Sequence, residues 1–318
     1  MRHLVGLTCV LAIAGLAFLP SPAAAGPSSC EEITAAVGQA RAKGDLDELA
    51  RLDSAAKDMR AGCSAKEVIC IGRSVALGHL AAAYARSNAG TPPGGLVGIL
   101  RAGLKLGSPW QLLVAKGDIE MELGRAGDKS AYGAAAESYE LAVNDLAEEA
   151  SCPATESRPR PAQFAELHKK METAKMLAPT FSLVRTRDNE CGGVFVQHVR
   201  DFAPTKTTLP IEFVYDSAEF TAKGRDAVSA LRECVGKYTW IQLSGHTDHV
   251  GSDEYNMTLS KRRLEAVRQV LVGAGYRGTI ELRPKGKREP FVVDDATKYT
   301  AAQIDQMNRR VELRGANE

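Results

Sequence analysis

Two histidines, two aspartates and two arginines fall within one stretch, Gly245–Arg263, which reads GHTDHVGSDEYNMTLSKRR. Three kinds of chemistry can be built from such residues. His246, Asp248 and His249 are metal-ligand types, but no further His, Cys or Glu cluster nearby completes a set, and catalytic zinc takes three protein ligands. His246 could serve as a base in hydrolysis, yet no serine or cysteine stands out as its nucleophile and no G-x-S-x-G elbow occurs. The third chemistry is recognition of paired charges. Asp248 can accept hydrogen bonds from an ammonium, while Arg263 offers a planar fork of donors matched to a carboxylate. A ligand carrying both charges on one carbon suits that pair. His246 is then read as ordering the turn through its ring nitrogens, and neither a metal, a cofactor nor a catalytic residue is expected.

The flanking sequence says what must hold these groups. Trp240-Ile241-Gln242-Leu243 alternates as a strand entering a core does, and predicts a strand over Thr239–Ser244. The chain then turns through Thr247, Asp248 and Gly251. Ser252 is a good N-cap, with Asp253 and Glu254 in the first turn where the helix dipole favours anions. Leu259, Leu264, Val267 and Leu271 keep helical spacing, so a helix is expected over Asp253–Ala274, ending at Gly273 and Gly275. Asp248 thus sits at a strand end beside the opening turns of a helix that carries Asn256, Ser260 and Arg263. That helix N-terminus adds N–H groups favouring the ligand's anion.

Four motifs occur in order: Gly245-His246-Thr247-Asp248, Gly251-Ser252 with Tyr255-Asn256, Leu259-Ser260 with Arg263, and Asn308-Arg309-Arg310-Val311-Glu312. Together with the upstream Leu209–Asp216, they closely resemble the OmpA-like peptidoglycan-binding domain, over about 110 residues from Leu209 to the end. The resemblance implies a sheet covered by helices, and non-covalent binding of the diaminopimelate stem peptide of peptidoglycan. It assigns the diaminopimelate-contacting Asp and Arg to Asp248 and Arg263. Thr247, Asn256 and Leu259 become wall positions, with Tyr215 and Asp216 contributing from the first strand. One of Arg309 and Arg310 is expected to face the site, and the sequence leaves open which. Leu264 departs from the family's usual Ala, and Gly286-Lys287-Arg288-Glu289 departs from G-x-G-E. The basic run Lys285–Arg288 reads as a solvated face.

The chain's 318 residues carry 40 Lys and Arg against 39 Asp and Glu. Such balance gives no reason to expect nucleic acid or an anionic membrane as partner. Arg2 and His3, the apolar Leu4–Leu19, the breakers Pro20 and Pro22, and Ala23-Ala24-Ala25 read as a secretory signal cleaved after Ala25. Lipidation is not expected, because Cys30 has Pro27 three residues before it and Cys9 comes too early. Six cysteines follow Ala25, and an even number in an exported chain predicts disulfides. Hairpin geometry suggests Cys30 with Cys63 or Cys70. Cys152 and Cys191, flanking the last helix of the first half, suggest a second bridge, and Cys234 has no cysteine near it in sequence.

After residues 1–25, the signal peptide, residues 26–178 are Ala- and Leu-rich and read as an all-helical domain. Helices are predicted over Glu31–Ala42, Leu46–Arg60, Lys66–Ser87, Leu96–Leu106, Trp110–Leu123, Ala131–Ala147 and Ala162–Met176, joined by short turns as antiparallel hairpins. The Trp110–Leu146 pair faintly resembles a tetratricopeptide repeat through Tyr132, Ala136, Tyr139 and Ala142. A single copy cannot bury its own face, and simple core packing of the tyrosines is the preferred account. Residues 179–207 read as a linker containing a short strand, Gly193–Val196. Residues 208–318 alternate: strand Leu209–Tyr215, helix Thr221–Val235, the strand and helix above, strand Thr279–Pro284, a short helix near Ala301–Met307 and strand Arg309–Leu313. The fold class expected is α+β, an all-helical domain followed by an OmpA-like βαβαβ(β) α/β sandwich.

These readings imply a non-enzymatic periplasmic protein held at the cell wall, with outer-membrane association as an extension, whose helical half is cargo or adaptor. No transmembrane barrel is expected. The alternatives are a periplasmic scaffold that contacts an envelope protein through its helical half, and, less favoured, an envelope hydrolase.

Overall fold

The computed structural model describes residues 27, 29–58, 62–147, 152, 159–183, 191, 206–293 and 295–316. The signal reading and the strand expected at Gly193–Val196 lie outside them.

Seven helices form the first half: α1 (Cys30–Lys43), α2 (Leu46–Asp58), α3 (Ala65–Asn88), α4 (Pro93–Leu104), α5 (Trp110–Arg125), α6 (Ala131–Ala147) and α7 (Pro161–Leu177). Local chemistry marks their ends. Ser29 caps α1, Ser64 and Glu67 form a reciprocal capping box on α3, and Pro93 and Pro161 open α4 and α7, where a missing N–H costs nothing. Consecutive helices pack as hairpins. In the α5–α6 pair, Tyr132 and Tyr139 are buried, each lying flat over a glycine of α5. A Cβ at Gly117 would stand 2.5 Å from the Tyr139 ring, and one at Gly124 2.6 Å from the Tyr132 ring. The spacing of the tyrosines is therefore a packing device, as expected.

The second half alternates β1 (Thr207–Leu209), α8 (Ala222–Cys234), β2 (Trp240–His246), α9 (Asp253–Gly273), β3 (Thr279–Gly286), α10 (Ala301–Asn308) and β4 (Val311–Ala316). The sheet order is β1-β4-β2-β3, with β2 and β3 parallel and the other pairs antiparallel. Leu231 from α8 and Leu264, Val267 and Leu271 from α9 bury against Ile241, Leu243, Val311 and Leu313 of the sheet. This is the α+β architecture read from the sequence. Several boundaries differ: α4 runs over Pro93–Leu104 and not Leu96–Leu106, β4 over Val311–Ala316 and not Arg309–Leu313, and β2 and β3 each end two residues later than expected. The first strand lies over Thr207–Leu209 and not Leu209–Tyr215, because Pro210 has no N–H to continue the ladder and Ile211 N–H bonds back to the Leu209 carbonyl at 2.8 Å. Ile211 and Phe213 still enter the core, and Phe213 bridges Phe220.

The halves are more than tethered. Met307 of α10 is fully buried in the core made by α5, α6 and α7. Gln306 Nε2 and Lys223 Nζ both donate to the Met176 carbonyl, at 2.8 and 2.9 Å, and Thr208 N–H donates to Glu172 at 2.6 Å.

Three disulfides join Cys30 to Cys63, Cys70 to Cys152 and Cys191 to Cys234. The first is one of the two pairings expected for Cys30. The expected Cys152–Cys191 bridge does not form, because each of the two sulfurs is taken by a cysteine from another element, α3 or α8. Cys152 instead returns to α3, and Cys191 ties the segment before β1 to the end of α8.

Candidate functional site

Strand β2 delivers the site. It breaks register at Gly245 and His246, and a Cβ on Gly245 would lie 2.8 Å from Leu264, so the glycine makes room for the larger residue on α9. The His246 ring is buried beneath the turn. Its Nδ1 is 3.1 Å from the Glu289 carbonyl, and its Nε2 is 3.4 Å from a Glu312 oxygen. Glu312 also accepts from Arg310 at 2.8 Å and Lys206 at 2.7 Å. Burial works to raise the Glu312 pKa, but His246, Arg310 and Lys206 outweigh it and hold the carboxyl far below its ordinary range. His246 orders the turn, as expected, within a wider ionic group than its sequence neighbours suggested.

The turn emerges above this network. Thr247 N–H donates to the Gly286 carbonyl at 2.9 Å. Asp248 accepts from Val250 N–H at 3.2 Å through one oxygen and from Arg309 Nη1 at 2.8 Å through the other. Asn256, buried at the start of α9, ties the turn to the helix by donating to the carbonyls of Val250 and Ser252, at 2.8 and 3.0 Å. Gly251, at φ 93°, takes the left-handed corner between them.

Arg263 faces this turn from the third turn of α9. Its side chain is 4% exposed, and its guanidinium stacks 5.0 Å from the Phe213 ring. Nε donates to the Ser217 carbonyl at 2.9 Å and Nη2 reaches the Val214 carbonyl at 3.5 Å. Among the described residues no carboxylate is hydrogen-bonded to it. Burial pulls its pKa down to about 10, opposed by Asp248, so it stays charged at neutral pH. A buried cation held only by neutral carbonyls leaves positive charge directed at the cleft.

That cleft, about 270 Å³, gathers all seven residues singled out from the sequence: Tyr215, Asp216, Thr247, Asp248, Asn256, Leu259 and Arg263. Val250, Gly251, Tyr255 and Arg309 complete its lining. Asp248 and Arg263 do not form a structural ion pair with each other, since the partner of Asp248 is Arg309. Of the two adjacent arginines, Arg309 faces the cleft and Arg310 turns inward to Glu312. Where the family's G-x-G-E is altered, Lys287 Nζ donates to the Gly251 carbonyl at 2.7 Å and Arg288 pairs with Asp253 at 2.6 Å. The loop is thereby latched to the start of α9.

Residues 212–303 match the OmpA family. The C-terminal region is an OmpA family domain. Its relatives include the peptidoglycan-associated lipoprotein of Pseudomonas aeruginosa, 34% identical over 116 residues, which are 36% of this chain and 66% of the lipoprotein. Outer membrane porin F of Pseudomonas fluorescens is 34% identical over 110 residues, covering 34% of this chain and 32% of the porin. The chain thus spans about a third of one relative and about two thirds of the other. Among solved structures, the peptidoglycan-associated lipoprotein of Burkholderia pseudomallei aligns at 27% identity with a TM-score of 0.29, over 34% of this chain and 89% of that one. The helical half lies outside the OmpA domain match.

Proposed function

We propose that the OmpA domain binds peptidoglycan non-covalently, by clamping the carbon of diaminopimelate that carries both an ammonium and a carboxylate. Arg263 takes the carboxylate, and Asp248 shares its remaining lone pairs between Arg309 and the ammonium. Thr247, Asn256 and Leu259 wall the cleft. The observation that carries this reading is the buried Arg263 guanidinium, satisfied by carbonyls alone, facing the Asp248–Arg309 pair across an open cleft. The names of the relatives, peptidoglycan-associated and outer-membrane proteins, support placing the chain in the periplasm at the cell wall. The helical half, docked on the same domain, would be held at the wall with it.

The test is sedimentation of the full chain with purified sacculi. Wild type is expected to pellet with diaminopimelate-type sacculi and much less with lysine-type ones. Lysine lacks the terminal carboxylate and would leave Arg263 unpaired. Equal pelleting with both would overturn the clamp.

A further inference from the structure

The charged cleft has an apolar lip that the clamp does not use. Tyr215, Val250 and Tyr255, three of the eight large hydrophobic residues exposed among the described residues, line its edge, and Tyr215 is 78% exposed. The support beneath Tyr215 is rigid. Arg263 donates to the carbonyls on either side of it, Val214 and Ser217. Tyr255 donates its hydroxyl to Asp216, which is the one non-glycine residue at positive φ, 51°, among the described residues. Asp216 therefore bends the chain in the left-handed region and is held there from the side, leaving the Tyr215 ring turned out to solvent. An exposed aromatic on a stapled turn is a prearranged contact surface, since the backbone beneath it is already tied and tyrosine has only two side-chain torsions to order on binding.

We propose that this lip is a carbohydrate subsite, in which Tyr215 and Tyr255 seat the C–H face of a pyranose ring of the glycan strand. The inference rests on the peptidoglycan reading and adds the sugar to it. Tyrosine presents a broad apolar face with a polar tip, which matches a sugar's apolar face and hydroxyl edge. Asp216 has a second carboxylate oxygen without a hydrogen bond among the described residues, and it can accept one from a ring hydroxyl. Ring faces beside a carboxylate acceptor suit a sugar better than an aliphatic side chain, which has no hydroxyl to offer. The lip also adjoins the cleft directly, so one ligand can fill both.

The test measures binding of two probes to the full chain by calorimetry: a free stem tripeptide ending in diaminopimelate, and the same tripeptide attached to its disaccharide. Wild type is expected to prefer the disaccharide-tripeptide by about tenfold. Tyr215→Ala should abolish the preference and Tyr215→Phe should keep most of it. A wild type with no preference, or a preference that survives in Tyr215→Ala, would overturn the subsite. A Tyr215-dependent preference that persists while Asp248→Ala changes neither affinity would keep the subsite and sink the clamp. Wild type that binds neither probe would sink both.

Discussion

At the scale of single residues, the proposed clamp rests on a buried cation to which no carboxylate is hydrogen-bonded among the described residues. Arg263 is stacked on Phe213 and bonded to two carbonyls, so under that proposal a ligand carboxylate would gain a charge-assisted partner that is already oriented. Removing one side of such a pair typically costs about 2–5 kcal/mol, or about 30-fold or more in affinity. Asp248→Ala and Arg263→Ala are each expected to abolish sedimentation with diaminopimelate-type sacculi. Arg263→Ala also frees two carbonyls, so circular dichroism must show it folded. Arg263→Lys, which keeps charge but lacks the planar fork, should bind weakly as well. Folded Asp248→Ala that pellets like wild type would sink the idea. That Asp248 and Arg263 line one cleft was legible in the sequence, because one closes the strand and the other rides the opening turns of the next helix. The partner of Asp248 was not, because which arginine faces the cleft depends on where β4 begins.

At the scale of elements, two devices fix geometry, one beneath the cleft and one in the helical half. The first is the Glu312 cluster, which locks the end of β2 to β4 and to the loop carrying Glu289. Its carboxyl is held below the ordinary value of 4.5, so the folded state holds fewer protons on it than the unfolded chain does. Its contribution is therefore full above the unfolded value and fades as pH falls below about 4.5 toward the folded one. Glu312→Gln should flatten the acid limb of a plot of melting temperature against pH, and an unchanged acid limb would refute the assignment. The second device is glycine under tyrosine in the α5–α6 hairpin. Gly117→Ala should destabilise by about 1–3 kcal/mol through overpacking, although alanine is the better helix former. A variant as stable as wild type in urea would show that the ring can shift. Most helices were readable to within one or two residues, because their apolar spacing and caps are local, while α4 opens three residues earlier than expected, at Pro93. Strand β1 was misplaced, because the apolar Ile211 and Phe213 kept strand-like character after Pro210 had ended the pairing.

At the scale of the whole molecule, what joins the two halves is non-local and was illegible in sequence. Met307 looked like an ordinary end of a short helix, yet it completes the core of α5, α6 and α7. Gln303 of the same helix donates to the Tyr132 hydroxyl at 2.9 Å, and a disulfide joins Cys191 to Cys234 at the end of α8. The same α10 ends at Arg309, the partner of Asp248, so the element that docks the helical half also supplies the cleft. Burying one Met side chain contributes about 1.5–3 kcal/mol, a sizeable share of a domain's total, so the halves should not unfold independently. The chain carries one tryptophan in each half, Trp110 at the start of α5 and Trp240 at the start of β2. Trp110→Phe and Trp240→Phe then each leave a reporter for one half. With the disulfides intact, fluorescence melts of the two variants should follow a shared transition, each matching the far-ultraviolet melt of its own chain. Two midpoints well separated, with each fluorescence curve tracking only part of the far-ultraviolet change, would mean that the shared core does not couple the halves.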